Sequence, residues 1–428
     1  MDYIVRFIFV RRKIFMVVRE KPSLFRGYYV VAAGFGIWFI GWGSYSISFG
    51  VFLKPIIAEF GWSRADATLA YSSMFMVQAT IGILMGWLTD RIGSRSLMLW
   101  FGSFIGISYL LLSQVNDLWQ FQLSYALAGG IGTSVLNIPV IVAVSRWFRK
   151  GQGTMLGIVQ AGAGIGGFIF PPLSGWIILS YGWREAYFSL GICTLVIMFI
   201  CGLYLRSDPV KAEVSGKEDA GAGAPTQKPA SQERVQPPVR RPMFQGAFWM
   251  LMGIYGSFGF CRATFLAHIA AHTQDLGFTL SDGAFITALI SGSSIAGRVG
   301  TGRLSDKLGN RAALAVSFGI TTMAILLALE ADRLWMLYLF GLAFGFAWGA
   351  QAVLRFTATS EVFGLSSLGF LLGLLSFIEA IAAMLGSYLG GYVFDLFGNY
   401  RPIFWAGVCI AALGGALSFF LKPRPRTS

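Results

Sequence analysis

The chain has 428 residues, of which 55% are hydrophobic and only 12% charged. Soluble domains carry about 25% charged residues, so a soluble globular fold is excluded and the bilayer is the expected solvent. The formal net charge of +13 would raise nucleic acid as a partner, but the basic residues collect in alternate connections between apolar stretches and at both termini. That is the pattern of cytoplasmic segments facing anionic lipid, and no nucleic-acid partner is expected.

Residues 1–25 form a basic tail without a cleavable signal, and Met16 would serve as a start as well as Met1. Apolar stretches of about 20 residues span a bilayer as helices. They predict helices at 27–53, 67–88, 96–114, 119–144, 153–179 and 186–205, and again at 245–269, 283–304, 312–329, 334–356, 367–394 and 402–421. The segment 206–243 between these sets is polar, with an Ala-Gly run ending at Pro225 and a Pro237-Pro238 pair. It reads as a flexible cytoplasmic linker that cannot bury a core. The expected organisation is therefore a tail (1–25), a six-helix half (26–205), the linker (206–243), a second six-helix half (244–421) and a tail (422–428). An even helix number puts both termini on one side, and the basic connections make that side cytoplasmic.

The halves repeat. Gly86-x-x-x-Asp90-Arg91-x-Gly93-x-Arg95 recurs as Gly302-x-x-x-Asp306-Lys307-x-Gly309-x-Arg311, an offset of 302 − 86 = 216 residues. Gly157 and Gly373, Gly175 and Gly391, and Gly182 and Gly398 keep the same offset. One such match arises by chance, whereas several at equivalent helix junctions indicate duplication. The fold class is thus all-α, twelve transmembrane helices in two pseudo-symmetric halves.

On these motifs the sequence resembles the major facilitator superfamily over residues 26–421. Within it, Ser48-Phe49-Gly50-Val51-Phe52-Leu53-Lys54-Pro55, Glu59-Phe60-Gly61-Trp62-Ser63-Arg64, Trp147-Phe148, Tyr181-Gly182-Trp183-Arg184 and Asp275-Leu276-Gly277 resemble the oxalate/formate antiporter and monocarboxylate transporter group. The resemblance implies alternating access, with the duplicated loop motif holding the cytoplasmic face shut in the outward-facing state. The residues allow this: Asp90 and Asp306 at helix ends can accept from a neighbouring helix N-terminus or pair with Arg or Lys, and Gly93 and Gly309 permit a tight turn. A plain turn with solvated charges is the alternative.

Charges inside membrane helices cost about 2.5–3.5 kcal/mol each on insertion scales, so each needs a partner or a task. Arg298 and Glu379 lie well inside predicted helices, and their counterparts at the 216 offset are Gly82 and Ala163. The scaffold needs neither charge, which marks them as candidates for the substrate. The resemblance implies that the helix-8 arginine holds a carboxylate, and a planar guanidinium suits that task. Glu379 stands where oxalate carriers have lysine, which argues against oxalate and for a monoanion on Arg298. Glu379 is then the candidate proton carrier. Its alternatives are a permanent bridge to Arg298 or recognition of a cationic group. Arg262, the counterpart of Ser46, is either a second anion ligand or a partner of Glu379.

The resemblance also suggests His268, Asn137 and Ser294 as cavity positions; Ser294 falls where animal carriers have aspartate. His268 and His272, one turn apart, lack the companions of a metal site, and the four cysteines fit neither a metal site nor a disulfide framework. No metal, no cofactor and no catalytic cluster is expected, and the protein is not read as an enzyme. The leading expectation is a monomeric inner-membrane carrier for a small organic anion, driven by protons or a counter-anion. An efflux carrier for amphipathic or zwitterionic compounds, or a non-transporting sensor on the carrier fold, are the competing readings.

Overall fold

The computed structural model describes residues 26–148, 152–205, 246–363 and 368–421. The expected tails and linker, 1–25, 206–243 and 422–428, lie outside the described residues. Twelve helices occupy the described residues, with no strand among them. We number them α1 (Arg26–Phe60), α2 (Arg64–Thr89), α3 (Arg91–Leu112), α4 (Leu118–Trp147), α5 (Gln152–Tyr181) and α6 (Trp183–Tyr204). The second set is α7 (Gly246–Asp275), α8 (280–308), α9 (Gly309–Leu329), α10 (Leu334–Phe363), α11 (Leu368–Phe397) and α12 (Arg401–Phe420). All except α8 are long and apolar enough to cross a membrane. That helix carries Arg298 at mid-length and Arg303, Asp306 and Lys307 near its end.

The duplication is written into the backbone. Among the described residues, six glycines have positive φ: Gly61, Gly93, Gly182, Gly277, Gly309 and Gly398. They form three pairs at the 216 offset. Gly93 (φ 81°, ψ 156°) and Gly309 (φ 79°, ψ 156°) share a conformation that costs a side chain heavily, so each loop motif turns the chain the same way. Helix starts repeat as well: Ser63 Oγ accepts from Asp66 N–H at the head of α2, and Thr279 Oγ1 accepts from Asp282 N–H at the head of α8.

The helices extend further than apolar length predicts, mostly at the end that bears Gly61 and Gly277. α1 takes in Lys54 and Glu59, and α7 takes in His272 and Asp275. At the opposite end α10 runs on to Phe363, which leaves Arg355 two turns inside it. In α1 a wide turn over Gly41–Ser46 interrupts the regular ladder. Tyr125 donates to the Tyr45 carbonyl at 3.0 Å, and Tyr71 donates to the Ser46 carbonyl at 3.0 Å. Two buried phenols thus satisfy backbone acceptors that no water could reach.

Buried side chains form two clusters, one centred on α1–α6 and one on α7–α12. The second half joins the first cluster through small residues, Ala263, Ala267, Ala270, Ala271, Ala284 and Ala383 among them, which let helix backbones approach closely. The halves meet from the Arg64 end to the middle of the helices. There Gly167 meets Ser291, Gly164 meets Ile295, and Ser72 and Ser387 hydroxyls bond at 2.7 Å. Toward the loop-motif end, Gly82, Gly157 and Gly373 have open space where a side chain would start. The halves are closed together at the Arg64 end, and among the described residues those three positions toward the other end stand free of contact.

Candidate functional site

Among the described residues, four charged side chains lie well inside the helices of the second half or at its face toward the first. Arg262 comes from α7, Arg298 from α8, Arg355 from α10 and Glu379 from α11. Glu379 is held by two of the arginines. Arg355 Nη1 donates to Glu379 Oε2, while Arg262 Nη2 stands 3.7 Å from Oε1. The guanidinium of Arg355 is only 7% exposed as a residue and lies over Phe258 at 4.0 Å, Phe356 at 4.7 Å and Tyr255 at 4.8 Å. Those rings fix it within its own half.

Arg298 and Glu379, paired in one reading of the sequence, are not brought together. Arg298 Nη1 donates instead to the Gln160 carbonyl of α5 at 2.9 Å, and its guanidinium sits 5.7 Å from the Trp348 ring centre. It has no carboxylate partner among the described residues. Arg262 likewise reaches the opposite half, lying 5.1 Å from the centre of the Phe75 ring on α2. The buried Nε of Arg262, Arg298 and Arg355 makes no hydrogen bond among the described residues. Glu379 therefore faces two guanidinium groups, those of Arg355 and of Arg262, the second as one reading of the sequence allowed, while Arg298 stands apart from it. The unforeseen member is Arg355. A helix ending at 356 put it at the membrane boundary, and only the longer α10 buries it. Its counterpart at the 216 offset, Pro139, was the available signal.

The other candidates are distributed elsewhere. Asn137 is half-buried at a break in α4, where it precedes the restarted helix Ile138–Trp147. Ser294 is fully buried, its hydroxyl donating to the Ser291 carbonyl, and its backbone packs on Gly349 of α10. His268 lies behind the closed end: Nε2–H donates to the Ser387 carbonyl at 2.8 Å, and Nδ1 accepts from Tyr400 at 3.2 Å. Of the gating candidates, Arg91 stacks on Trp87 and Arg311 donates to the Phe419 carbonyl of α12. Gly86 faces Ile138, and Arg95 is exposed. Gly302 falls outside the residues described beyond their backbone, as do the side chains of Asp90, Asp306 and Lys307.

A second charged cluster ties the halves together at the closed end. Arg64 donates to Asp275 through Nη1 at 2.6 Å and Nη2 at 2.8 Å, and Lys54 Nζ stands 2.7 Å from the same carboxylate. Asp395 of α11 accepts from the Arg64 and Ala65 N–H groups at 3.0 and 2.7 Å, capping α2 from the opposite half. The sequence contained the reason. Asp275 corresponds to Glu59, whose carboxylate is satisfied inside its own half by Arg184 and by Trp183 Nε1. The counterpart of Arg184 is Tyr400, a phenol, so Asp275 is left to recruit its cations from the first half.

Two repeated six-helix halves, closed together at one end around buried charges, are the architecture of a membrane carrier. A profile of the Major Facilitator Superfamily matches residues 33–329 and 295–428. The chain belongs to that superfamily, whose members are non-enzymatic carriers. Monocarboxylate transporter 13 of Rattus norvegicus is 28% identical over 373 residues, covering 86% of this chain and 83% of its own. The agnestins efflux protein of Paecilomyces divaricatus is 24% identical over 407 residues, covering 94% and 88%. The fold matches a bacterial homologue of the human lysosomal transporter Spinster, solved in an inward-facing and occupied conformation. The TM-score is 0.72 at 17% identity, over 92% of this chain and 96% of that one.

Proposed function

We propose that the protein carries a small organic anion, a monocarboxylate first of all, across the cytoplasmic membrane by alternating access. The observation that supports this most is Arg298: a guanidinium at mid-membrane, without a carboxylate partner among the described residues, resting on a carbonyl of the opposite half. A substrate carboxylate arriving there would replace a neutral acceptor with a charged one, and charge-assisted bonds are about twice as strong. The likeness to monocarboxylate transporters 13 and 12 over most of the chain supports the same substrate class.

The loop-motif end carries Arg91, Arg95, Arg146, Arg303, Lys307 and Arg311, and both described chain ends, Arg26 and Leu421, lie there. By the positive-inside rule it is the cytoplasmic end, which makes this conformation inward-facing. Glu379 is engaged by two guanidinium groups, and protonation would forfeit both ion pairs. Anion exchange leaves them intact and is the simpler coupling in this conformation.

The test is uptake of labelled lactate into proteoliposomes. Arg298→Ala and Arg298→Lys should each lose at least about tenfold in uptake, and wild-type uptake should be stimulated by unlabelled internal lactate more than by an acid-outside gradient. Full uptake by both variants would refute the assignment of Arg298. The fungal efflux relatives favour a second reading, export of larger anionic compounds. Failure of short carboxylates to compete for binding, with competition by amphipathic acids, would select it.

A further inference from the structure

Resting on the anion-carrier reading, we propose that Arg355 is a positioning residue: it holds the charge of Glu379 so that Arg262 remains available as a second anion-binding cation beside Arg298. The geometry divides the two arginines into different tasks. Arg355 is hydrogen-bonded to Glu379 and enclosed by Tyr255, Phe258 and Phe356, all from the second half. Arg262 is at 3.7 Å, beyond hydrogen-bond reach of the same carboxylate. Its Nε is buried without a bond, and its guanidinium lies against Phe75 of the first half. Among the described residues, Arg355 thus pairs and stacks within its own half, while Arg262 sits on the surface where the halves meet.

The chemistry follows from charge. One carboxylate can fully compensate one guanidinium, and the closer, more buried arginine takes it. Remove the Arg355 charge and Glu379 needs to move only by a fraction of its own length to close on Arg262. The second cation would then be consumed by an internal ion pair. None of the three positions has a charged counterpart at the 216 offset, where Ser46, Pro139 and Ala163 stand. The scaffold therefore does not require the group, and its purpose lies in what binds between the halves.

The experiment measures dissociation constants of the purified full-length protein for lactate and malonate, a monocarboxylate and a dicarboxylate. Arg355→Gln should weaken binding about tenfold. Adding Glu379→Gln to it should restore affinity to within about twofold, because no carboxylate is then left to capture Arg262. Arg262→Gln should weaken binding to a similar degree and render Arg355→Gln silent in the same chain. Arg355→Lys, which keeps the charge, should bind near the wild-type level and guards against a variant that merely fails to fold. The malonate series should respond more steeply than the lactate series, since a second carboxylate depends more on a second cation. Wild-type affinity in Arg355→Gln, or an equal loss that Glu379→Gln does not repair, overturns the proposal. In either case loss of binding in Arg298→Ala would leave the carrier reading standing. Absence of binding of both probes to the wild-type protein overturns both.

Discussion

Replacing Asp275 by Asn should shift the conformational equilibrium toward the state open at the Arg64 end. The side chain accepts a two-pronged pair from Arg64 and a third bond from Lys54. All three cross from one half to the other, so they exist only while that end is closed. A hydrogen bond to a charged group contributes about 1.5–3 kcal/mol. Lys54 and Asp275 are partly exposed, at 27% and 22% of their side chains, so screening reduces the sum. A loss of about 2–4 kcal/mol from the closed state is a reasonable total. At about 1.4 kcal/mol per tenfold, the ratio of open to closed at this end should rise roughly 30- to 700-fold. Spin labels on exposed Asn116 and Asp332, in a chain whose four cysteines are first replaced, would read the separation of the halves by pulsed dipolar spectroscopy. Glu59→Gln is the control. It breaks the equivalent contact with Arg184, but within one half, so it should lower the melting temperature without altering the distance distribution. An unchanged distribution in Asp275→Asn, or the same shift in Glu59→Gln, would refute the reasoning.

Gly167→Val should also open the Arg64 end, because its new side chain would meet Ser291 of the opposite half. Gly157→Val, where nothing lies within reach in this conformation, should leave the same distance distribution unchanged. Tyr125→Phe should cost about 1–3 kcal/mol of stability by orphaning the Tyr45 carbonyl in the wide turn of α1, read as a lower melting temperature with ligand affinity preserved.

Much of the scaffold was legible because the bilayer imposes a simple rule: apolar length counts helices, and repeated glycines mark the turns between them. All twelve predicted helices are present, and the loop-motif glycines turn as the spacing required. The errors came where polar residues continue a helix past the apolar core. Lys54, Glu59 and Asp275 belong to helix ends that hydropathy cuts short, because their charges are satisfied in the packed bundle: Lys54 and Asp275 by each other across the closed end, Glu59 by Arg184 within its own half. Arg355 escaped for the same reason at the other end of α10. Once Glu379 is known to lie beside it, the residue is explained, but no linear window shows that neighbour. Pairing is a property of the packed bundle, so sequence could name Arg298, Arg262 and Glu379 as costly charges without saying which would meet.

The constant offset does extract some of this pairing. Glu59 and Asp275 are equivalent carboxylates, yet Arg184 answers the first and Tyr400 stands where the second would find its partner. The vacancy in charge forces Asp275 outward to Arg64, and Tyr400 then relays that guanidinium to His268 through its hydroxyl. A carrier needs its closing contacts to be reversible, hence between halves, whereas contacts within a half must survive the whole cycle. Substituting one arginine by tyrosine in one repeat converts a permanent contact into a reversible one. The same comparison, Ser46 against Arg262 and Pro139 against Arg355, isolates the mid-membrane cations. Broken symmetry thus separates the contacts between the halves and the buried cations from the repeated frame.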